Sequence, residues 1–383
     1  MQKTADVAIV GGGISGLSIA FQLAQAGVKN IAIIEKNFLG SGATGRCGAG
    51  IRMQWGTELN CLLSKYSCEF YEQAHEIFHN DIDIEFDQGG YLIGAGTDEE
   101  LEQFQRNVKL QNKLGIESVF LSPEEAGEIL PHLDITQIKG ATFCHRDGHL
   151  NPFRTVEAYA EAAKSLGVSI YEYTEVREIL RDGNTLKGVR TNKGDIKAPI
   201  VVNAAGGYSG LIAGMAAVDL PVYSQRHQIM VTEPVEAMQE PMFMGFSLNI
   251  YIQQVPHGSF IMGRSDDSEP KDLRLTSSWH FLEEMSKTCT TLMPRLGRLK
   301  IIRQWAGLYN MTADAQPIYD EAPELPGFYH AAGFSGHGFM LAPVTGHVIA
   351  KRILGEKPDI DVSCLNVSRF KDGGLLPTES SVV

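Results

Sequence analysis

The sequence lacks the features that mark several large classes of protein. Its 33 Lys+Arg against 46 Asp+Glu give a formal net charge of −13, and no Lys/Arg-rich run is present, so we expect no nucleic-acid partner. The six cysteines form no CxxC pair and no Cys/His cluster with zinc spacing, which predicts reduced thiols, a cytoplasmic location and no metal site. The N-terminal apolar run has no basic flank or cleavage site and is broken by glycines, so we expect neither a signal peptide nor a transmembrane segment.

What the sequence does contain, almost at its start, is a pattern suited to phosphate binding. The run VAIV at residues 7–10 predicts a strand, and LSIAFQLAQAG after the glycines has the apolar spacing of a helix. Gly11, Gly13 and Gly16 fit G-x-G-x-x-G, in which the glycines allow a tight turn, close approach to a pyrophosphate and close helix packing. Glu35 ends the next predicted strand, where a carboxylate can accept hydrogen bonds from a ribose. This pattern predicts a bound dinucleotide and leaves NAD and FAD open.

Three later segments favour a long ligand. Residues 36–52 (KNFLGSGATGRCGAGIR) are rich in Gly, Ser and Thr and suit backbone N–H donation along an extended molecule. Residues 200–210 (IVVNAAGGYSG) form an apolar strand that ends in small residues, and residues 327–354 repeat the order of strand, glycine-rich turn and helix. A ligand contacted from both ends and the middle of the chain is long, which favours FAD.

Together, VAIVGGGISGLSIA, SGATGRCGAGIR and GFSGHGFMLAP resemble the FAD-dependent family of D-amino-acid, glycine and sarcosine oxidases. Within it, the pattern is most similar to the flavin-bearing β subunit of heterotetrameric sarcosine oxidase and of dye-linked L-proline dehydrogenase. The resemblance covers nearly the whole chain except the tail GGLLPTESSVV. It implies non-covalent FAD, because WAGLYNMTADAQP holds no cysteine for flavin attachment. A second flavin, FMN, is expected only if a partner subunit exists.

The resemblance also implies which residues hold FAD. They lie in the glycine-rich turn, in the segment after the second strand, at mid-chain and near the C-terminus. They are Gly11, Gly13, Ile14, Ser15, Gly16, Glu35, Lys36, Ser41, Gly42, Ala43, Thr44, Arg46, Cys47, Gly48, Val176, Ala204, Ala205, Gly206, Gly307, Gly333, Gly336, His337, Gly338, Phe339 and Met340. No second G-x-G-x-x-G is present, so no separate NAD(P)H domain is expected.

The expected fold is α/β (α+β) with two domains, which suits a chain of 383 residues. One is a Rossmann-like FAD-binding domain and the other a discontinuous substrate domain built on an antiparallel sheet. QIMVT and NIYIQQV alternate as strands do, and SSWHFLEEMSKTCTTLMPRLG predicts an amphipathic helix. The expected ranges are 1–81, 145–220 and 305–375 for FAD binding, 82–144 and 221–304 for substrate binding, and 376–383 for a polar tail.

Three side chains are the catalytic candidates. Arg52 matches the arginine that binds the substrate carboxylate in sarcosine oxidases, although a structural arginine is the alternative. Tyr251 would face the ring from the substrate sheet, or be a packed strand tyrosine. His337 resembles the family histidine beside the flavin and has glycines on both sides, which leaves it little core to pack in. His149 and His227 are weaker candidates.

Two departures from the family bear on the electron acceptor. Met340 stands where monomeric sarcosine oxidases carry a lysine that binds the carboxylate, and Ile261 stands, in an ungapped alignment, where they carry the lysine that activates oxygen. An apolar side chain cannot stabilise superoxide, which favours an acceptor other than oxygen.

The leading hypothesis is therefore FAD-dependent oxidation of the C–N bond of a small amino or imino acid, proline- or sarcosine-like, by hydride transfer to flavin. The alternatives are a glycine or D-amino-acid oxidase that produces hydrogen peroxide, and a flavin-bearing electron-transfer subunit active only with a partner. The expected partners are a small amino acid and an α-type subunit or electron acceptor.

Overall fold

A computed structural model of the protein describes residues 1–371, 373–377 and 379. Strands and helices are numbered in chain order within this part of the chain. The strands are β1 (Val7–Val10), β2 (Ile31–Ile34), β3 (Gly50–Ile51), β4 (Tyr91–Ala95), β5 (Ser118–Leu121), β6 (Gly140–Cys144), β7 (Gly148–His149), β8 (Ser169–Tyr171), β9 (Val176–Asp182), β10 (Thr185–Thr191), β11 (Gly194–Lys197), β12 (Ile200–Asn203), β13 (Tyr223–Thr232), β14 (Met242–Gly245), β15 (Ile250–Gln254), β16 (Phe260–Arg264), β17 (Ile301–Met311), β18 (Ile318–Glu321) and β19 (Phe328–Ala332). The α-helices are α1 (Ile14–Gln25), α2 (Glu58–Glu72), α3 (Ala74–Phe78), α4 (Asp98–Lys113), α5 (Pro123–Ile129), α6 (Pro152–Ser165), α7 (Ser209–Met215), α8 (Trp279–Leu292) and α9 (Ala342–Ile353).

A six-stranded sheet holds the nucleotide-binding pattern. Its order is β18-β19-β12-β1-β2-β8, and all neighbours are parallel except β18, which is antiparallel to β19. Every residue of β1 and β2 is buried, as expected for parallel strands that are covered on both faces. On one side, α1 packs against α6 and α9. A smaller antiparallel sheet, β11-β10-β9, lies beside this core.

The second large sheet has eight strands. Its order is β17-β13-β16-β15-β14-β4-β6-β5, and its neighbours are antiparallel except β14 and β4. The predicted amphipathic helix is confirmed as α8, which begins after the N-cap Ser278 and buries Phe281 and Met285 against Met230 and Met262 of the sheet. The expected fold class is therefore confirmed.

Sheet membership bears on the expected domain ranges without deciding them. The six-stranded sheet draws its strands from residues 7–34, 169–203 and 318–332, whereas the eight-stranded sheet draws its strands from residues 91–144 and 223–311. The expected boundary at residue 305 lies inside β17, which belongs to the eight-stranded sheet over its whole length. The division into domains stays a prediction. In the part of the chain described, no helix combines the length and apolar character needed to cross a bilayer.

Candidate active site

A cavity of about 390 Å³ runs between the two sheets. Its nucleotide end is formed by the glycine-rich turn, the residues after β2 and the start of β9. Its sheet end is formed by residues of β13, β15 and β17. Most of the predicted cofactor residues line it: Gly11, Gly13, Ile14, Ser15, Glu35, Lys36, Ser41, Gly42, Ala43, Thr44, Arg46, Cys47, Val176, Ala204, Ala205, Gly206, Gly307, Gly336, Gly338 and Phe339.

The glycine-rich turn brings β1, β12 and the start of α1 into close contact. A Cβ on Gly11, which has φ +116°, would lie 2.3 Å from the Ala204 carbonyl oxygen. A Cβ on Gly16 would lie 2.1 Å from the Gly11 carbonyl oxygen, so Gly16 serves helix packing and does not line the cavity. The N–H of Ile14, the first residue of α1, donates to Thr44 Oγ1 at 3.1 Å, which holds the segment after β2 against the helix N-terminus.

Glu35 fixes the backbone at the nucleotide end. The Gly12 N–H donates to its Oε2 and the Asn37 N–H to its Oε1, both at 2.8 Å. Each carboxylate oxygen has a further lone pair for a ribose hydroxyl. Beside it, the Lys36 ammonium lies 3.1 Å from the centre of the Tyr208 ring.

The segment 41–47 connects the two sheets. The Arg46 side chain donates to the Ser41 carbonyl at 3.2 Å and to the Ala306 carbonyl at 3.1 Å, and Trp305 Nε1 donates to the Arg46 carbonyl at 3.0 Å. Burial raises the pKa of the Cys47 thiol to about 11, so this cavity-lining cysteine is a neutral thiol at pH 7.

Among the described residues, those that line the sheet end are largely aromatic, and Arg264 is the charged one. Tyr251, Tyr309 and His227 line it, and burial lowers the pKa of His227 to about 3. Burial also raises the pKa of Tyr251 and that of Tyr309, the latter to about 12. The imidazole and both phenols are therefore neutral at pH 7.

Five predicted cofactor residues do not line the cavity: Gly16, Gly48, Gly333, His337 and Met340. Gly48 is covered, because a Cβ there would meet Gln253 Oε1 and the Tyr251 ring at 3.5 Å. Gly333 has φ +73°, and a Cβ there would lie 2.4 Å from Thr312 Cγ2, which indicates that the backbone turn requires a glycine. Met340 packs in the core around α1 and α9.

The expectation that His337 has little core to pack in is wrong. Its ring packs edge-on against Trp55 with centroids 4.5 Å apart, and its exposed fraction is 7%. Burial lowers the pKa of His337 to about 3, and the Arg52 charge lowers it further. His337 is a neutral histidine packed behind the cavity wall that Gly336 and Gly338 form.

Arg52 is buried in the same layer and does not line the cavity. Its guanidinium stacks 3.9 Å above the Trp55 ring, lies 5.5 Å from the Phe246 ring and donates to the Gln54 carbonyl at 2.9 Å. Phe246 packs against the same apolar cluster as Tyr251, which lines the cavity. His149 is buried as well, with Nε2 3.8 Å from Asp87 Oδ2.

Several cavity residues were not predicted from the sequence. At the nucleotide end these are Thr174, Glu175, Tyr208, Leu211, Ile212 and Met215, and at the sheet end Ile229, Arg264, Tyr309 and Asn310. Tyr208 follows the glycines after β12, and Tyr309 lies two residues after Gly307. Their positions beside predicted cofactor segments could have indicated that both line the cavity. Nothing in the sequence around Arg264 or Ile229 indicates that either residue lines the cavity.

Comparison with known proteins identifies the ligand that this cavity suits. The family model described as "DAO: FAD dependent oxidoreductase" matches residues 6–352. The chain belongs to this family. It is an FAD-dependent oxidoreductase that acts on amino acids at C–N bonds.

Members of this DAO family resemble the chain over nearly its full length. The sarcosine oxidase subunit beta of Arthrobacter sp is 30% identical, and the match covers 98% of this chain and 93% of that protein. The solved L-proline dehydrogenase from P. horikoshii is 39% identical with a TM-score of 0.92, over 97% of this chain and 99% of that one. The solved glycine oxidase from Geobacillus kaustophilus is 26% identical with a TM-score of 0.87, over 96% and 99% of the two chains.

The residues present fit the FAD that the DAO family uses. The N-terminus of α1 has no side-chain cap, so after Ile14, whose N–H donates to Thr44, the backbone N–H groups of its first turn can bind a pyrophosphate, and the glycine at position 13 lets phosphates approach them. Glu35 has lone pairs free for a ribose, while the aromatic and neutral lining suits a flavin ring.

Proposed function

We propose that this DAO-family protein oxidises the C–N bond of a small amino or imino acid, proline- or sarcosine-like, and passes the electrons to an acceptor other than oxygen. The names of the relatives, sarcosine oxidase and L-proline dehydrogenase, support this substrate class. We further propose that the cavity-lining residues named above hold FAD without a covalent bond. Bound FAD supplies the electron sink that accepts a hydride.

The observation that carries the proposal is the distribution of charge along the cavity. Among the described residues that line it, only Glu35 and Glu175 carry carboxylates, and both belong to the nucleotide end, where the Thr174 N–H donates to the Glu35 carbonyl. The sheet end therefore has no carboxylate to hold a substrate ammonium. Because hydride leaves the α-carbon only when the adjacent nitrogen has its lone pair free, such a site favours a neutral amine.

The residues of the sheet end can bind and orient that amine. The Tyr251 hydroxyl is a neutral donor and acceptor that can bind an amine nitrogen or a carboxylate oxygen. His227 and Tyr309 present stacked aromatic surface that excludes water from the reacting carbon. Arg52 is the proposed anchor for the substrate carboxylate, and His337 is a neutral packing partner of Trp55.

The residues near the cavity also support an acceptor other than oxygen. Lys36 is the only lysine among the described residues that line it, and its ammonium is held over Tyr208 at the nucleotide end. Ile261 in β16 and Met340 in the core have apolar side chains, so neither supplies a cation. The similarity to a subunit named beta supports a partner subunit as the recipient of electrons.

Anaerobic mixing with a panel of amino acids tests the substrate class. We expect proline or sarcosine to bleach the flavin absorbance faster than glycine or D-alanine. With the best substrate, turnover with a dye acceptor should exceed turnover in air. A peroxide-forming rate equal to the dye rate would identify an oxidase. No bleaching without an added partner would favour the electron-transfer subunit.

A further inference from the structure

A fully buried carboxylate, that of Asp147, holds the chain segment that carries Arg52. One of its oxygens accepts from the Met53 N–H at 2.7 Å, and the other accepts from Gln54 Nε2 at 2.9 Å. Asp147 lies in the turn between β6 and β7, more than 90 residues after this segment. The two hydrogen bonds therefore tie residues 53 and 54 to a distant part of the fold.

Gln54 transmits this restraint to Arg52. Its Nε2 also donates to the Tyr91 carbonyl at 3.0 Å, so two acceptors set the orientation of the side-chain amide. The Gln54 carbonyl accepts from Arg52 Nη1 at 2.9 Å. The Arg52 guanidinium stacks on Trp55, whose Nε1 donates to the Arg52 carbonyl at 2.9 Å. The guanidinium is thus placed by contacts within a segment that Asp147 holds.

We propose that Asp147 is a positioning residue, whose ionised form holds Arg52 where the guanidinium can bind the substrate carboxylate. Asp147 does not line the cavity, so it acts on the substrate through Arg52. This inference rests on the proposed function, in which Arg52 binds that carboxylate.

Only an ionised carboxylate supplies the acceptors that this segment needs. The Met53 N–H and Gln54 Nε2 are both donors, and they bind different oxygens of Asp147. An asparagine has one acceptor oxygen and one NH2 group, so in either orientation its NH2 group would face a donor. Protonation of Asp147 likewise weakens the hydrogen bond at the oxygen that receives the proton. Both changes release the segment that carries Arg52.

The charge of Asp147 changes within the working pH range, because burial raises its pKa to about 7. Burial also raises the pKa of the nearby thiols and of the Tyr91 phenol, and it lowers the pKa of His149. The pKa values of those groups thus move away from pH 7, whereas that of Asp147 moves towards it. The titratable and charged groups around Asp147 and its segment are Arg52, Cys61, Cys68, Glu72, Tyr91, Cys144, Arg146, His149 and Glu379.

Kinetics of Asp147→Asn give the first test. We expect KM for the best amino acid to rise roughly tenfold, with kcat within about twofold of the wild-type value and flavin content retained. For pyrrolidine, an amine without a carboxylate, variant and wild type should agree. In an Arg52→Lys background, Asp147→Asn should raise KM little further, because both substitutions act on one contact.

Asp320→Asn is the matched control. The Asp320 carboxylate also accepts from a backbone N–H, that of Val367 at 2.9 Å, and from a side chain, that of Arg352 at 3.2 Å, but it does not line the cavity or contact the segment of Arg52. It should change neither KM nor kcat. An unchanged KM in Asp147→Asn, an equal loss with pyrrolidine, or additive effects in the double variant would overturn the proposal.

Ligand binding by the wild-type protein gives a second test that depends on neither turnover nor a variant. The Kd of pyrrole-2-carboxylate, measured from the change in flavin absorbance, should fall roughly fivefold from pH 6 to pH 8, as Asp147 loses its proton. Pyrrole, which lacks the carboxylate, should bind equally at both pH values. A Kd of pyrrole-2-carboxylate that does not depend on pH would contradict the proposal.

The same titration separates this inference from the proposed function. If Arg52→Lys leaves the Kd of pyrrole-2-carboxylate unchanged, the proposed role of Arg52 fails together with that of Asp147. If Arg52→Lys raises the Kd and Asp147→Asn does not, the role of Asp147 alone fails. We expect both variants to raise the Kd, and Asp147→Asn to remove its dependence on pH.

Discussion

The imidazole of His227 and the ring of Tyr309 stack face to face, with centroids 3.6 Å apart and planes 11° from parallel. The two residues lie on the paired strands β13 and β17, two positions apart in register, with His227 opposite Gly307. A Cβ on Gly336 would lie 2.5 Å from the Tyr309 ring, so the C-terminal glycine turn presses against the same stack. This pair therefore joins the eight-stranded sheet to the turn that lines the cavity.

Substitution of His227 should separate packing from proton transfer. We expect His227→Phe to keep the stack and the FAD content, whereas His227→Ala loses an aromatic contact worth about 0.5–1.5 kcal/mol beyond its buried area. Because burial holds the pKa of His227 near 3, the pH profile of kcat/KM between pH 5 and 9 should be the same in wild type and His227→Phe. A profile that loses an inflection in the Phe variant would show that His227 exchanges a proton during the reaction.

Arg52→Lys should weaken substrate use far more than FAD retention. A lysine keeps the charge but cannot form a bidentate pair with a carboxylate or stack flat on Trp55. Loss of one charge-assisted hydrogen bond predicts a decrease of roughly ten- to a hundredfold in kcat/KM. The exposed Arg154→Lys is the control. Unchanged kinetics with full flavin content would show that another cation binds the substrate carboxylate. Arg264, which lines the cavity, is then the candidate.

Gly16→Ala should displace α1 from β1. The added Cβ would lie 2.1 Å from the Gly11 carbonyl oxygen, a backbone contact that no side-chain rotation relieves. We expect a loss of about 3 kcal/mol in the free energy of unfolding and a large fall in FAD content, measured by denaturation and by flavin absorbance. Gly214→Ala in α7, where a Cβ meets nothing within 4 Å, should change stability by about 1 kcal/mol or less. Equal flavin content in both variants would contradict the role of Gly16.

Asp147 should make the protein less stable as the pH rises from about 4 to about 7. Its carboxylate accepts from the Met53 N–H at 2.7 Å and from Gln54 Nε2 at 2.9 Å, but burial still raises its pKa to about 7. Between the unfolded pKa near 3.9 and this value, the folded state holds the extra proton, so stability falls with rising pH, by up to roughly 4 kcal/mol.

The test compares the midpoints of unfolding of wild type and Asp147→Asn at pH 5 and pH 8. The neutral amide has no charge to bury. The unfolding midpoint of the variant, relative to that of the wild type, should therefore be higher at pH 8 than at pH 5. Midpoints that shift in parallel would show that Asp147 is ionised in the folded state throughout.

Local patterns were predictable because the chain near them decides their structure. The turn from Gly11 to Gly16 depends on a strand, a few glycines and a helix that are adjacent in sequence, and α8 depends on its own apolar spacing. The family resemblance extended this to the segments after β2 and β12. These segments are confirmed as parts of one cavity wall, while the role of each residue stays a prediction.

The positions of side chains behind the cavity wall depend on residues far away in sequence. Glycines beside His337 gave no sign that Trp55 packs on its ring, and nothing near Arg52 indicated that Glu379 and Asp147 lie around it. The stack of His227 on Tyr309 needs the register of β13 and β17, which a single strand pattern does not specify.

The placement of β12 between β1 and β19 governs how the chain is made. The ribosome releases Phe328, the first residue of β19, 318 residues after Val10, the last residue of β1. At about 10 residues per second, roughly half a minute separates the synthesis of β1 from that of β19, which pairs with β12. Until then β12 lacks its neighbour β19, and Gly336 and Phe339 are missing from the cavity wall. The cavity is therefore completed only near the end of synthesis, and its ligand binds a nearly finished chain.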